Sequence, residues 1–146
     1  MSDFFSPTCC YSVQQAMLRL SKRVEYGLVA LQFLAKRNAV ATVREIADTS
    51  GISYDLLAKI MQDLKRDGMI CSHQGVRGGY TLMLAPQEIS VTRVVDALEN
   101  ENSITECTSD SECCSREAVC TIKGPMHKLQ DTMEQVLSSV TIAQLL

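Results

Sequence analysis

The chain has 146 residues, of which 46% are hydrophobic and 21% are charged, and its formal net charge is −3. This length and composition suit one domain or slightly more with an ordinary buried core, and they exclude a chain that is disordered for most of its length. The longest mostly apolar run, near residues 28–35, is far shorter than the roughly 20 residues that a membrane span needs. We therefore predict that the protein has no membrane partner.

The charges are distributed unevenly along the chain. Residues 17–84 contain ten Lys and Arg against six Asp and Glu, whereas residues 85–146 contain four against ten. A nucleic-acid-binding face is expected in the basic half, and the acidic half should lie away from phosphate. The negative total charge therefore does not exclude DNA as a partner.

Residues 1–16 precede a second methionine, Met17, and have only weak periodicity, so we predict a frayed N-terminal extension. A redox role for its adjacent cysteines, Cys9 and Cys10, is the alternative. The segment is a poor secretory signal because no Lys or Arg precedes its apolar positions. We therefore expect a cytoplasmic protein, and in that reducing compartment clustered cysteines more often ligate metal or undergo redox chemistry than form disulfides.

The next segment, residues 20–36, predicts a first helix that ends at Asn38. Its apolar positions step by three or four residues, which indicates one buried face. These positions are Leu20, Val24, Leu28, Leu31 and Ala35.

A second helix is predicted after Thr42, an N-cap with Glu45 three residues on, and runs to about Thr49. After a turn at residues 50–52, Ser53 is expected to cap a third helix that ends at residues 67–68. The apolar stripe of this third helix consists of Leu56, Leu57, Ile60, Met61 and Leu64. Two helices joined by a short turn that contains Gly are typical of a helix-turn-helix.

The pattern then changes from helical to extended. Residues 69–72 and 80–84 predict two short strands, and the glycine-rich segment between them carries Arg77. Such a hairpin, which Pro86 ends, is typical of the wing of a winged helix. On it, Cys71 is expected to be a small buried hydrophobe. His73 and His127 are expected to be surface residues rather than metal ligands.

Two more helices are predicted in the acidic half. Ser90 is expected to cap a fourth helix that extends to Leu98, and a fifth can begin at Pro125. Little chain remains to cover the heptad-like seam of the fifth helix, which predicts a homodimer. The seam consists of Met126, Leu129, Met133, Val136 and Val140.

The third helix and the wing are the predicted DNA-reading surface. Gln62 can form a bidentate pair with adenine, Asp55 can accept from cytosine N4, and Arg77 suits a minor groove. The full set of candidate contacts is Lys22, Arg23, Arg44, Ser53, Tyr54, Asp55, Ala58, Lys59, Gln62, Val76 and Arg77. Within it, Lys22, Arg23 and Arg44 are the predicted phosphate contacts. The alternative is a set of solvated residues on a winged helix that binds protein.

Four of the seven cysteines lie in a segment without an apolar period, which indicates that the thiols bind a metal centre. They are Cys107, Cys113, Cys114 and Cys120. The segment lacks the C-x2-C pairs that structural zinc sites favour, whereas iron-sulfur clusters tolerate wider spacings. We therefore predict an iron-sulfur cluster. The spacing does not give the number of irons, and of the two common types 2Fe-2S is favoured over 4Fe-4S. A disulfide switch is the second interpretation and a zinc site the third.

Several short motifs together resemble the Rrf2 family of bacterial regulators over residues 17–146. They are Leu20-Ser21-Lys22, Tyr26-Gly27, Glu45-Ile46-Ala47, Gly51-Ile52, residues 75–80 and the cysteine segment. Residues 17–22 and 98–120 look most like the branch that regulates the SUF iron-sulfur assembly operon. The resemblance implies a homodimeric winged-helix transcription factor with one iron-sulfur cluster in each subunit, near the dimer interface.

The resemblance also implies a ligand set. The family's three cysteines correspond to Cys107, Cys120 and one of Cys113 or Cys114. Some members place a histidine three residues after the last cysteine, but this chain has Lys123 there. Glu25 occupies the place where other members supply a carboxylate from the partner subunit, so the resemblance implies Glu25 as the fourth ligand, acting in trans.

The predicted fold is mainly α with a small β-hairpin wing. Residues 17–86 would form a winged helix-turn-helix DNA-binding domain, and residues 87–146 a cluster-binding loop and a long C-terminal dimerisation helix. The predicted function is a regulator, a repressor of SUF-type genes, that binds a double-stranded operator. The alternative is a cluster-free relative that works by thiol redox chemistry or a small metabolite. No enzyme is expected, because no nucleophile–base pair or phosphate-binding glycine loop is recognisable.

Overall fold

The architecture is given by a computed structural model that describes residues 19–99 and 117–146. The helices in these ranges are α1 (Lys22–Arg37), α2 (Val43–Ser50), α3 (Tyr54–Arg66), α4 (Val91–Leu98) and α5 (Lys123–Ser139). The strands are β1 (Ile70–His73) and β2 (Gly79–Leu82), and short 3-10 turns occupy Pro86–Glu88, Glu117–Val119 and Ile142–Leu145. The predicted extension 1–16 lies outside the described residues, as do Cys107, Cys113 and Cys114.

Helix α1 begins and ends at residues suited to those positions. The Ser21 hydroxyl accepts a hydrogen bond from the Val24 backbone N–H, and Asn38 adopts a left-handed conformation with φ 46° that ends the helix, as predicted. The predicted buried face was partly wrong. The buried residues are Val24, Gly27, Ala30, Leu31 and Leu34. Leu28 and Ala35 are only partly buried, and Leu20 is exposed before the helix begins. Helix α4 packs closely at Gly27, where a side chain would meet Leu98.

Helices α2 and α3 form the predicted helix-turn-helix. Thr42 and Glu45 make a reciprocal capping box at the start of α2, and Gly51 ends α2 in a left-handed conformation with φ 66°. Ser53 occupies the N-cap of α3, but its side chain makes no capping hydrogen bond, which corrects the prediction that it caps the helix. The inner face of α3 buries Leu57, Ile60, Met61 and Leu64, while the fifth predicted position, Leu56, is only partly buried.

The wing is an antiparallel hairpin with Ile70 opposite Leu82 and Cys71 opposite Thr81. Its base is joined to the loop before α2, where Ala41 and Tyr80 exchange two backbone hydrogen bonds of 3.0 and 2.8 Å. Strand side chains alternate between faces, so Ile70, Tyr80 and Leu82 turn to the core. Cys71, expected to be a buried hydrophobe, lies instead on the outer face and is half-buried.

Helix α4 and the C-terminal turn complete the core around α1. The Ser90 hydroxyl caps α4 by accepting from the Arg93 N–H, as predicted. The Ile142 N–H donates to the Ile89 carbonyl over 2.9 Å, and both side chains are fully buried. The core cluster therefore includes residues on both sides of the predicted domain boundary at residue 86.

Helix α5 packs mainly against α4. It was predicted to begin at Pro125 and begins two residues earlier, at Lys123. Its buried residue is Gln130, a polar one. Two members of its predicted apolar seam, Leu129 and Val136, are 42% and 58% exposed. These two seam residues thus lack a covering partner among the described residues, whereas Met126, Met133 and Val140 are partly buried.

Among the described residues, no helix combines the length and the hydropathy that a membrane-spanning helix requires.

Candidate functional site

The outer face of α3 presents the predicted DNA-reading side chains together. Four residues on three successive turns, Tyr54, Asp55, Lys59 and Gln62, are exposed, and Ala58 between them is partly buried. Ser53 is exposed at the N-terminus of the helix, and its hydroxyl is not used as a cap. A helix that buries one apolar face and presents a polar face of this kind has the geometry with which recognition helices enter a major groove.

Arg44 of α2 extends this surface towards α3. Its guanidinium carbon lies 5.5 Å from the centre of the Tyr54 ring, within the range of a cation–π contact. Sequence reasoning treated these two residues as separate contacts, whereas the structure joins them at the N-terminal end of α3. The contact holds the positive charge of Arg44 beside that end of the helix.

The tip of the wing presents the two predicted residues to solvent. Val76 and Arg77 are both exposed, and the turn that carries them is closed by a 2.9 Å hydrogen bond from the Gly78 N–H to the Gly75 carbonyl. Gly75 has φ 112°, a conformation that other residues rarely adopt. An open concavity separates the tip from the start of α2 and is lined in part by Arg37, Thr42, Glu45 and Arg77. The wing tip and the helix-turn-helix thus border one surface.

The predicted phosphate contacts on α1 differ in their surroundings. Lys22 is exposed, and its ammonium lies 2.5 Å from the Glu25 carboxylate. The hydrogen bond and the charge of Glu25 raise the pKa of Lys22 above its ordinary value of 10.5. Lys22 therefore carries its positive charge at neutral pH, and its predicted phosphate contact stays a prediction.

Arg23 has internal partners instead. Its guanidinium lies 2.6 Å from the Asp63 carboxylate on α3, and its Nε donates to the Leu98 carbonyl at the end of α4 over 3.2 Å. Asp63 also receives a hydrogen bond from Arg66. Arg23 thus bridges α1, α3 and α4. These internal contacts were not part of the predicted role of Arg23 as a phosphate contact.

Two further contacts were not predicted from the sequence. Arg93 on α4 holds Asp67, the C-cap of α3, with a 2.6 Å contact to its carboxylate and a 2.9 Å hydrogen bond to its carbonyl. At the start of α1 the Ser21 hydroxyl donates to the Glu99 carboxylate. Partners that are 26 and 78 residues apart leave no periodic signal in the sequence, so only the fold could reveal them.

The described part of the predicted cysteine site comprises Cys120 and Glu25. Cys120 is a free, half-buried thiol between the 3-10 turn Glu117–Val119 and α5, and Glu25 lies on α1 with a side chain 44% exposed. Within residues 19–99 and 117–146, no three His, Cys, Asp or Glu side chains are grouped to hold a metal ion. The other candidate thiols lie outside these ranges.

Residues 20–146 match the Rrf2 family, which is described as an iron-dependent transcriptional regulator. The protein Rrf2 of Nitratidesulfovibrio vulgaris is 32% identical over 131 residues, which cover 88% of this chain and 87% of the relative. The HTH-type transcriptional regulator NsrR of Halalkalibacterium halodurans is 30% identical over 132 residues, which cover 88% and 90% of the two chains.

Solved structures show the same architecture. CymR, the global cysteine regulator of B. subtilis, superposes with a TM-score of 0.69 at 29% identity and covers 88% of this chain and 96% of its own. IscR of T. potens gives a TM-score of 0.70 at 26% identity, with 88% and 85% covered. These likenesses confirm the predicted winged-helix fold and the prediction that the protein is a regulator and not an enzyme. The chain belongs to the Rrf2 family of transcriptional regulators.

Proposed function

We propose that this regulator acts in the cytoplasm as a homodimeric repressor of SUF-type iron-sulfur assembly genes and responds to an iron-sulfur cluster held by its own cysteine segment. The segment would supply Cys107, Cys120 and one of Cys113 or Cys114. Glu25 of the partner subunit would supply the fourth ligand. The observation that carries the proposal is this concentration of thiols directly before α5 in a DNA-binding chain.

The chemistry of the donors suits such a cluster. Thiolates are the usual ligands of iron-sulfur clusters, and Cys120 is a free thiol that is not enclosed in the core. The Glu25 carboxylate is 44% exposed, and its ion-pair partner, Lys22, is an exposed residue of the same helix. An external metal centre could therefore replace that partner without unfolding α1. When bound, a cluster supplies a centre that exchanges electrons at a potential set by its surroundings.

The contacts of α1 give the cysteine segment a path to the recognition helix. Leu98 and Glu99 are the last described residues before the segment. Arg23 donates a hydrogen bond to the Leu98 carbonyl, and the Ser21 hydroxyl donates one to the Glu99 carboxylate. The same Arg23 guanidinium holds Asp63 on α3. A change of conformation at residue 99 would alter these contacts together, because they share one end of α1. The orientation of α3 would then depend on the state of the segment.

A row of exposed apolar residues along α5 and its N-cap supports a dimer. Three apolar residues spaced seven apart, Ile122, Leu129 and Val136, are 56%, 42% and 58% exposed. A heptad repeat of this kind is covered when a second copy of the helix packs against it. Two-fold symmetry would also set two copies of α3 at a fixed separation, which a palindromic operator requires.

The first test is the visible spectrum of protein purified without oxygen, with iron and acid-labile sulfide counted per chain. We expect absorbance between about 320 and 460 nm with equal amounts of iron and sulfide, as iron-sulfur centres have. Cys107→Ala should lose this absorbance and keep the helical circular dichroism, whereas Cys71→Ser, on the wing, should keep both.

Two results would refute the cluster. One is a protein that stays colourless and iron-free after anaerobic reconstitution, which would favour the cluster-free alternative. The other is an unchanged spectrum in Cys107→Ala. The gene target needs its own test, in which binding to DNA from upstream of a SUF-type operon is compared with a shuffled duplex of equal length. Equal affinity for both would reject these genes as the target.

A further inference from the structure

Three polar side chains converge on the outer face of the wing. Cys71 Sγ lies 3.2 Å from Thr81 Oγ1 and 3.7 Å from His73 Nε2, and these last two atoms are 2.8 Å apart. The three side chains thus form one hydrogen-bonded triangle of a thiol, an imidazole and a hydroxyl. Neither the DNA-reading surface nor the predicted cysteine site uses any of them.

The hairpin register explains why these residues meet. Cys71 and His73 are two residues apart on β1 and therefore share a face. Thr81 is the cross-strand neighbour of Cys71. The opposite face of the hairpin turns Ile70 and Leu82 to the core, so the triangle lies on the solvent side. His73 is exposed, and Cys71 and Thr81 are half-buried.

We propose that Cys71 is a modification site: a nucleophilic thiol, served by His73 and Thr81, that reacts with hydroperoxides. An imidazole in contact with a thiol can take up its proton, either directly or through the threonine hydroxyl, and the thiolate is the nucleophilic form. Free cysteines of structural type are usually enclosed among apolar side chains. Cys71 contacts a basic side chain, His73, and is partly accessible to solvent, and reactive cysteines occur in partly exposed positions beside basic groups.

The reaction balances with hydrogen peroxide as the oxidant. The Cys71 thiolate attacks one peroxide oxygen, a sulfur–oxygen bond forms, and the oxygen–oxygen bond breaks. The departing hydroxide takes the proton that His73 had accepted and leaves as water. The thiol is oxidised to a sulfenic acid and the peroxide is reduced. The oxidised sulfur would lie beside Thr81, two residues from Gly79, on the hairpin that carries Arg77.

The test measures the reaction rate of each cysteine in the folded, metal-free, full-length chain by peptide mass spectrometry. One series uses iodoacetamide, and a second uses hydrogen peroxide followed by dimedone, which traps sulfenic acids. We expect His73→Gln to slow both reactions at Cys71 by about tenfold, as when a thiolate loses its partner, and Thr81→Val to slow them less. Cys120, the other described free thiol, should react at an unchanged rate in both variants.

Ser72→Ala is the matched control, because Ser72 lies on the opposite face of the same strand. Ser72→Ala should leave the reaction rates of Cys71 unchanged. The control therefore distinguishes the loss of the His73 imidazole from a general loosening of β1. Equal rates in the wild type and His73→Gln would overturn the proposal. A second result would also overturn it. If one equivalent of Zn²⁺ protected Cys71 in the wild type but not in His73→Gln, the triangle would be a metal site.

Discussion

Helices α3 and α5 are both amphipathic, but they use their apolar faces in different ways. Helix α3 has 13 residues and buries four large apolar side chains. Helix α5 has 17 residues, and the residue it buries is Gln130. On α5 the apolar residues Leu129 and Val136 remain largely exposed.

The difference indicates that the two helices are stabilised at different levels. The position of α3 is fixed within one chain, by its core residues and by the charged contacts of Arg23 and Arg93 at its C-terminal half. On α5, Leu129 and Val136 are left exposed by the described part of one chain, and in the proposed homodimer a second copy would cover them. Mutations in α3 should therefore act on folding, and mutations in α5 on association.

The largest expected effect is the loss of a core residue of α3. Leu64 is fully buried, and Leu64→Ala should lower the free energy of unfolding by about 2–5 kcal/mol, because burial is lost and a cavity remains. Chemical denaturation measures this change. Gln62→Ala, on the exposed face of the same helix, should change it by less than about 0.5 kcal/mol.

Leu129→Ala tests the other half of the comparison. In a two-fold dimer the substitution removes one leucine from each subunit at the interface, so the dissociation constant should rise on the order of tenfold to a hundredfold. Analytical ultracentrifugation measures it, with the exposed Gln135→Ala as the control. If Leu129→Ala instead destabilised the monomer as much as Leu64→Ala, the proposed contrast between α3 and α5 would be wrong.

The winged half should also carry the affinity for DNA. Arg77 is exposed at the wing tip, and Arg77→Ala should weaken operator binding by about 1–3 kcal/mol if it contacts base edges in a groove. Lys128→Ala removes the same charge from α5 and should have little effect. Fluorescence anisotropy at one fixed salt concentration compares the two variants. Equal losses would show that only the net charge matters.

The link between α1 and α3 can be measured by a double-mutant cycle. Arg23→Met removes the guanidinium and Asp63→Asn removes the carboxylate charge from their 2.6 Å ion pair, in which Asp63 is the more buried partner. Since Arg23 is partly exposed, solvent screens the pair, and the coupling in the free energy of unfolding should be about 1 kcal/mol. A coupling near zero would remove this contact from the proposed path between the cysteine segment and α3.

Elements with local signals could be predicted from the sequence. The capping box of Thr42 and Glu45, the cap at Ser90 and the end of α1 at Asn38 are all as predicted, because each depends on residues within a few positions of one another. The glycine-rich hairpin was predicted for the same reason. Its strands differ from the prediction by one or two residues at their ends.

The errors have a common physical cause, which is packing between distant elements. Gly27 is buried because α4 crosses α1 there, and a periodicity count that uses only large apolar residues omits it. The internal partners of Arg23, Asp63 and Leu98, were missed because they are 40 and 75 residues away. Cys71 was expected in the core because the sequence does not say which face of a strand is the inner one. The ligand set of the cysteine segment stays a prediction.

The smallest expected effect concerns the pH dependence of the capping box, a local device that α3 and α5 lack. Hydrogen bonds from the Thr42 N–H and hydroxyl, followed by the charge of Arg37, hold the pKa of Glu45 below its ordinary value of 4.5. A carboxyl group with a lowered pKa in the folded state stabilises the fold above its ordinary pKa, and this stabilisation is lost as the pH falls through the folded value.

Glu45→Gln keeps an acceptor for the Thr42 N–H but does not titrate. The variant should therefore melt slightly below the wild type at pH 7, and the two should converge below pH 4.5. Thermal melts across this range by circular dichroism measure the difference, and a constant gap would mean that Glu45 acts through packing alone.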